Sequence, residues 1–137
     1  MKITASDVVP NRRRGGDIRV LLSPKTVRST SGFMGVLRLA PGEFVAEHYH
    51  PHSEEFLYVV RGTLTMRVED ESVELGPGDG LMVPIGAKHR LVNTGAEEGE
   101  AVFHLSPLAP RPELGHVDTE EPPHAHESSP QVGGARL

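Results

Sequence analysis

Residues 42 to 62 read Gly42-Glu43-Phe44-Val45-Ala46-Glu47-His48-Tyr49-His50-Pro51-His52-Ser53-Glu54-Glu55-Phe56-Leu57-Tyr58-Val59-Val60-Arg61-Gly62, and their pattern decides the fold. Two β-prone runs, Phe44 to His50 and Glu55 to Val60, are parted by Pro51 and bounded by glycines. On a strand, residues two apart face the same side. His48 and His50 therefore aim both imidazoles into one cavity. Glu55 opens the next strand, and a hairpin would return its carboxylate to the same level. Two nitrogens and one oxygen make half of a divalent-metal site. His52 keeps the same parity, but Pro51 turns the chain, so His52 is either a surface residue or a catalytic group at the rim.

Working outward, glycine and proline punctuate further short alternating segments, as in an all-β sandwich or barrel. Ile18, Val20 and Leu22 mark a first strand, and Phe33, Gly35, Leu37 and Leu39 a second, ended at Pro41-Gly42. Leu64, Met66 and Val68 alternate with Thr63, Thr65 and Arg67, and Asp70-Glu71 is a tight turn into Val73 and Leu75. Leu81 to Val83 is a short apolar strand, and His89 to Asn93 with Glu100 to Leu105 read as a closing hairpin around Gly95 to Gly99. No window holds the i, i+3, i+4, i+7 apolar spacing of a helix for long.

A second segment supplies more chemistry. Gly78-Asp79-Gly80-Leu81-Met82-Val83-Pro84-Ile85-Gly86-Ala87-Lys88-His89 places a rigid turn at Pro84 and Gly86, with His89 opening the strand that leaves it. His104 lies in the apolar run Val102-Phe103-His104-Leu105. If that run pairs with the strand of His89, its centre comes near the metal, and His104 is an added ligand, an acid/base, or a bonded core residue.

Composition bounds the rest. The 137 residues make one domain, and at 36% hydrophobic and 4% aromatic they supply one modest core of Val, Leu, Ile and a few Phe. No apolar run reaches the roughly 20 residues that span a bilayer. Met1-Lys2-Ile3-Thr4-Ala5-Ser6-Asp7 lacks the apolar stretch of a signal peptide, so a cytoplasmic protein without membrane contact is expected. Cysteine is absent, which excludes disulfides, thiolate ligands and cysteine nucleophiles. A net charge of −5 argues against a nucleic-acid partner. Arg12-Arg13-Arg14 reads as a solvated arm or a contact for an acidic partner. After Ser106 the composition shifts toward proline. The expected layout is an N-terminal arm over 1–14, a β-barrel over 15–106, an extended arm over 107–118 and a disordered tail over 119–137. His124-Ala125-His126 falls in that tail and reads as solvated.

The two histidine-bearing segments resemble the cupin signature, G-x5-H-x-H-x3–4-E-x6-G followed by G-x5-P-x-G-x2-H-x3-N. Gly42, His48, His50, Glu55, Gly62, Gly78, Pro84, Gly86, His89 and Asn93 fill every fixed position. At ~5% usage per residue type, chance would match them with odds of about 10⁻¹³ per placement. The resemblance implies a single-domain jelly-roll barrel (a double-stranded β-helix) holding one divalent metal by His48, His50, His89 and Glu55. The six-residue gap to Gly62 selects Glu55 over Glu54. If His104 ligates too, Glu55 is displaced from the metal.

The match runs further than the signature. Asn11 to Pro24, Gly32 to Gly35, Glu47 to Pro51, Glu54 to Val60 and Phe103 to Val117 resemble the cupin cyclases of bacterial aromatic polyketide pathways, of the tetracenomycin, resistomycin and spore-pigment kind. The likeness spans roughly residues 8 to 118. It implies regiospecific aldol cyclisation and aromatisation of a poly-β-ketoacyl chain, delivered on an acyl carrier protein. It also implies a metal, zinc ahead of iron, nickel or manganese, and a homodimer in which the strand from Asp17 to Leu22 completes a neighbour's sheet. His104 and His52 are the candidate acid/base residues. Two other functions fit the same metal site: an oxygenase acting on a polyketide or quinone intermediate, and a non-catalytic scaffold of the synthase complex.

Overall fold

Alternation of apolar and polar side chains gives ten strands in the computed structural model, which describes residues 1–130 and 132. They are β1 (Asp17–Leu22), β2 (Phe33–Leu39), β3 (Phe44–Tyr49), β4 (Glu54–Arg61), β5 (Leu64–Val68), β6 (Glu71–Leu75), β7 (Gly80–Val83), β8 (His89–Asn93), β9 (Gly99–Ser106) and β10 (Val117–Asp118). They form two five-stranded antiparallel sheets, ordered β1-β2-β9-β4-β7 and β10-β3-β8-β5-β6. The expected all-β barrel is the observed fold. The four-residue helix α1 (Pro24–Val27) is too short to show a period in the sequence. Ser23 caps it, its hydroxyl accepting from the Thr26 N–H while its own N–H donates to Thr26 Oγ1.

One face of each sheet turns inward. Leu37 and Leu39 on β2, Leu57 and Val59 on β4, and Ala101, Phe103 and Leu105 on β9 meet Leu64, Met66, Leu75 and Leu91 from the other sheet. Fully burying one such side chain contributes about 1.5–3 kcal/mol, so this single core carries the stability. Gly62, with φ of +82°, ends β4 where a side chain would lie 2.7 Å from the Gly99 backbone.

Two hairpins read from the sequence do not form. β3 pairs with β8 and β10, whereas β4 pairs with β7 and β9. The turn at Pro51 thus carries the chain from one sheet to the other, held where the Ser53 hydroxyl donates to the Pro107 carbonyl. β8 and β9 are likewise in opposite sheets. The Asn93 side chain donates to Leu39 O and Glu97 O and accepts from the Gly95 N–H, which fixes the crossover. β1 pairs with β2 of its own chain and stands at the edge of the first sheet.

The tail expected to be disordered is bonded to the N-terminal arm over its described part. His124 N–H donates to Arg13 O, Asn11 Nδ2 to Ser128 O, and Arg13 Nη1 to the carbonyls of Ala125 and Glu127. Arginine donors and backbone carbonyls hold this polar stretch without an apolar core, which is why its composition misleads. Residues 131 and 133–137 lie outside the described residues. Among the described residues, no helix is long and apolar enough to cross a membrane.

Candidate metal centre

β3 carries an irregularity in its pairing with β8 between Val45 and His48. It changes the parity, so that Val45 and then His48 and His50 all line the interior. The Ala46 N–H freed by the bulge donates to the Arg14 carbonyl at 2.8 Å. His89, the first residue of β8, lies directly opposite His48. Glu55 reaches the same place from β4 in the facing sheet, on the inward parity of Leu57 and Val59.

The three histidines are buried, and their ligating nitrogens lie within 4.8 Å of one another. Each is oriented by its Nδ1, which donates to a backbone carbonyl: His48 to Ala46 O at 2.8 Å, His50 to Gly115 O at 2.9 Å and His89 to Ala87 O at 3.0 Å. That leaves Nε2 of each ring aimed inward, the arrangement of metal-binding imidazoles. Nε2 of His50 and of His89 is buried without a hydrogen-bond partner among the described residues. The Glu55 carboxylate stands 3.3 Å from His89 Nε2 and 3.7 Å from His50 Nε2.

Burial, then the charges of His89, His50 and Arg14, hold the His48 imidazole well below its ordinary range. Burial alone would raise the Glu55 carboxyl, but the adjoining His89 and His50 outweigh it and hold the group well below the usual carboxylate range. Burial pushes His89 down, yet the Glu55 carboxylate prevails and raises it. An ionised carboxylate and a proton-hungry imidazole pointed at one spot are what a divalent cation replaces, by displacing the proton between them. His48, His50 and His89, with Glu55 as the oxygen donor, fit such an ion. Three imidazoles and a carboxylate suit zinc, iron, nickel or manganese.

Two expected site residues are elsewhere. On β9, Phe103 and Leu105 point inward, so His104 faces the outer side of the sheet, its ring centroid 6.1 Å from that of Phe56. It lines no part of the chamber and cannot reach the ion. The reading failed with the β8–β9 hairpin on which it rested. His52 is exposed on the turn after Pro51 and does not line the chamber either. Glu54 is paired opposite Ser106 on the outward parity of β4. His124, His126 and Glu127 cluster at the surface, the two histidines exposed.

The histidines line an apolar chamber together with Phe33, Leu37, Leu57, Met66 and Phe103. Phe44, Val59 and Met82 are not part of that wall. Phe44 lies instead under the Arg90 guanidinium at 4.1 Å, and Met82 is exposed. The mouth is covered by both arms, through Arg14 on one side and Leu108, Pro112 and His116 on the other. Arg14 and His116 were not legible as site residues, because a run of three arginines and a proline-rich arm both read as solvated chain. Gly15-Gly16 was the available signal. A side chain at Gly15, whose φ is +109°, would lie 1.9 Å from Phe44 O, so the arm packs on the barrel there and buries Arg14.

The cupin-domain family matches residues 35–105. Polyketide synthase CurC of Streptomyces cyaneus is 56% identical over 120 residues, covering 88% of this chain and 78% of that protein. Tetracenomycin polyketide synthase protein TcmJ of Streptomyces glaucescens is 51% identical over 133 residues, covering 97% of this chain and 89% of that protein. Among solved structures, a protein with a double-stranded β-helix domain from Klebsiella pneumoniae superposes with a TM-score of 0.69 at 21% identity, covering 87% of this chain and 96% of that one, a likeness of fold alone. A ten-strand barrel, three inward histidines on the signature spacing and these relatives agree: the chain belongs to the cupin family, in the group that includes the polyketide synthase proteins CurC and TcmJ.

Proposed function

We propose that this protein is a metal-dependent polyketide cyclase that closes and aromatises a poly-β-ketoacyl chain by intramolecular aldol condensation with loss of water. The observation that supports it is a mainly apolar chamber on whose wall three imidazoles and Glu55 converge. A divalent ion, zinc in this reading, supplies a Lewis acid for a ketone oxygen and for the enolate beside it. The chain's own residues do the rest. Phe33, Leu37, Leu57 and Phe103 confine a flexible chain so that one carbon pair meets, a positioning effect. With His104 outside, the proton acceptors on the wall are the Glu55 carboxylate and the neutral His116 imidazole. Protons between two carbonyls are acidic enough for such weak bases.

The test uses metal-replete protein and the poly-β-ketone released by a minimal synthase, with the acyl carrier protein present. One cyclised product is expected, and chelation of the metal should return the spontaneous mixture. An unchanged mixture with and without the protein sinks the reading. The same donor set suits an iron oxygenase, and oxygen consumption during turnover would favour that reading. A scaffold role predicts that folded His48→Ala protein keeps the product spectrum.

The same reading keeps the homodimer, for which the outer face of the first sheet offers a contact besides the β1 edge. Phe56, Tyr58 and Val60 on β4 and Met82 on β7 are 43–52% exposed there. Arg38 and Arg61 paired with Glu98 and Glu100 flank the row with both signs of charge, so a second copy turned about a two-fold axis meets its own complement. Sedimentation of Tyr58→Glu should shift toward monomer. A wild-type protein that is monomeric at micromolar concentration removes the dimer.

A further inference from the structure

Besides the His50 and His89 imidazoles, Arg14 is a chamber group whose bonding is incomplete among the described residues. Its side chain is 8% exposed, and its Nε donates to Asp118 Oδ1 at 2.9 Å. Its Nη2 is buried with no hydrogen-bond partner among the described residues. Asp118 also receives Arg13 Nη2 at 3.3 Å, so one carboxylate serves two guanidiniums and the cluster keeps one surplus positive charge. Arg13 turns away, its Nη1 bound to the tail carbonyls of Ala125 and Glu127. Arg14 instead lines the chamber with His48, His50, Glu55, His89 and His116. A buried charged donor without a partner is costly. Its place on a cavity wall, with an unpartnered Nη2, marks it as a donor to something the chamber receives.

We propose that Arg14 is the oxyanion anchor of the chamber, its Nη2 donating to the enolate oxygen of a 1,3-dicarbonyl segment whose carbon chain lies on the apolar wall. The assignment rests on the polyketide reading for the class of ligand, and on Arg14 itself for the charge. Guanidinium is always ionised and its donors diverge, so Nε can hold Asp118 while Nη2 takes the ligand. The bound enol loses its proton to buffer, and Arg14 keeps all of its own. The surplus charge makes the bound enolate more stable than the bound enol.

The probe is benzoylacetone, whose enolate is distinguished from its enol by ultraviolet absorption, titrated into metal-replete protein across pH. Wild type is expected to bind it and to lower its apparent pKa relative to water by at least one unit. Arg14→Gln, with metal content and melting temperature checked, should bind the enolate at least tenfold more weakly. Arg12→Gln, on the exposed part of the arm, should behave as wild type. Asp118→Asn gives the opposite sign: it removes the counter-charge of Arg14 and should tighten enolate binding. If Arg14 is merely a strut for the arm, Asp118→Asn loosens the arm and weakens binding, so this variant decides the matter even where Arg14→Gln fails to fold. Wild type that does not bind the probe, or an Arg14→Gln protein that binds the enolate as tightly as wild type, overturns the anchor. An anchor that behaves as expected in protein that never cyclises a poly-β-ketone removes the cyclase and leaves the anchor. A working cyclase whose enolate affinity ignores both substitutions removes the anchor alone.

Discussion

At the scale of single residues, the site is built by pairing every inward ring with an outward tether. His48 and His89 each bind the carbonyl two positions earlier in their own chain segment, and His50 binds the C-terminal arm at Gly115. His89→Ala should therefore lose the ion measured by elemental analysis while the barrel still folds. It should also melt lower: an ion at 100 times its dissociation constant stabilises the folded state by about 2.7 kcal/mol, and that contribution disappears. Stoichiometric metal retained in His89→Ala would refute the ligand set. His116 offers a pH test. Burial first, then the charge of Arg14, lowers its pKa from 6.5 to about 4, and Ser129 Oγ lies 3.1 Å from its Nε2. Between those values the unfolded chain binds a proton that the folded chain does not, so stability falls as pH drops from 6.5 toward 4. His116→Gln keeps a polar partner for Ser129 and lacks this proton. Its melting temperature should fall less than that of wild type between pH 7 and pH 5, as read by circular dichroism; equal losses would refute the assignment. The three histidines and Glu55 were legible because their spacing is local and fixed. Arg14, His116 and Asp118 were not, because Arg14 and the C-terminal arm meet only in the fold, about a hundred positions apart in sequence.

At the scale of elements, parity was legible and partnership was not. Alternation on β2 and β5 gave the inward residues, since a strand with one buried face repeats every two residues, whereas the apolar run of β9 left His104 open to an inward reading. Nothing in the alternation says that the short links after His50 and after Asn93 change sheets rather than reverse within one. The bulge in β3 was also hidden, although it is what allows Val45 and His48 to share the interior. His104 shows the consequence. On the strand β9 it sits one position out of step with Phe103 and Leu105, opposite Met34 of β2 and Phe56 of β4. His104→Gln should therefore change stability by no more than about 1 kcal/mol and leave the cyclised product and the metal content as in wild type. A fall in turnover of a hundredfold in folded, metal-replete His104→Gln, the size of a lost general base, would overturn its placement outside the chamber.

At the scale of the whole molecule, a chain with 36% hydrophobic residues lines the metal chamber with its two arms as well as with its core. Arg13 is the joint, since it bonds the tail carbonyls of Ala125 and Glu127 and the Asp118 carboxylate of β10, while its neighbour Arg14 enters the chamber. Glu120 adds a second joint, accepting from the Glu47 N–H at 2.7 Å and from Arg90 Nε at 3.0 Å. A chain ending at Asp118 would lose these bonds and the cover given by Pro130 and Val132. The tail adds no residue to the hydrophobic core, so the truncated protein should melt within a few degrees of wild type and retain its metal. The chamber should respond far more than the stability, because its apolar wall is then open to water on the tail side. Binding of an apolar dye such as anilinonaphthalene sulfonate should rise several-fold, and benzoylacetone should enter and leave faster. If truncation leaves dye binding and probe kinetics as in wild type, the tail does not cover the chamber, and its bonds to the arm have no part in what the chamber admits.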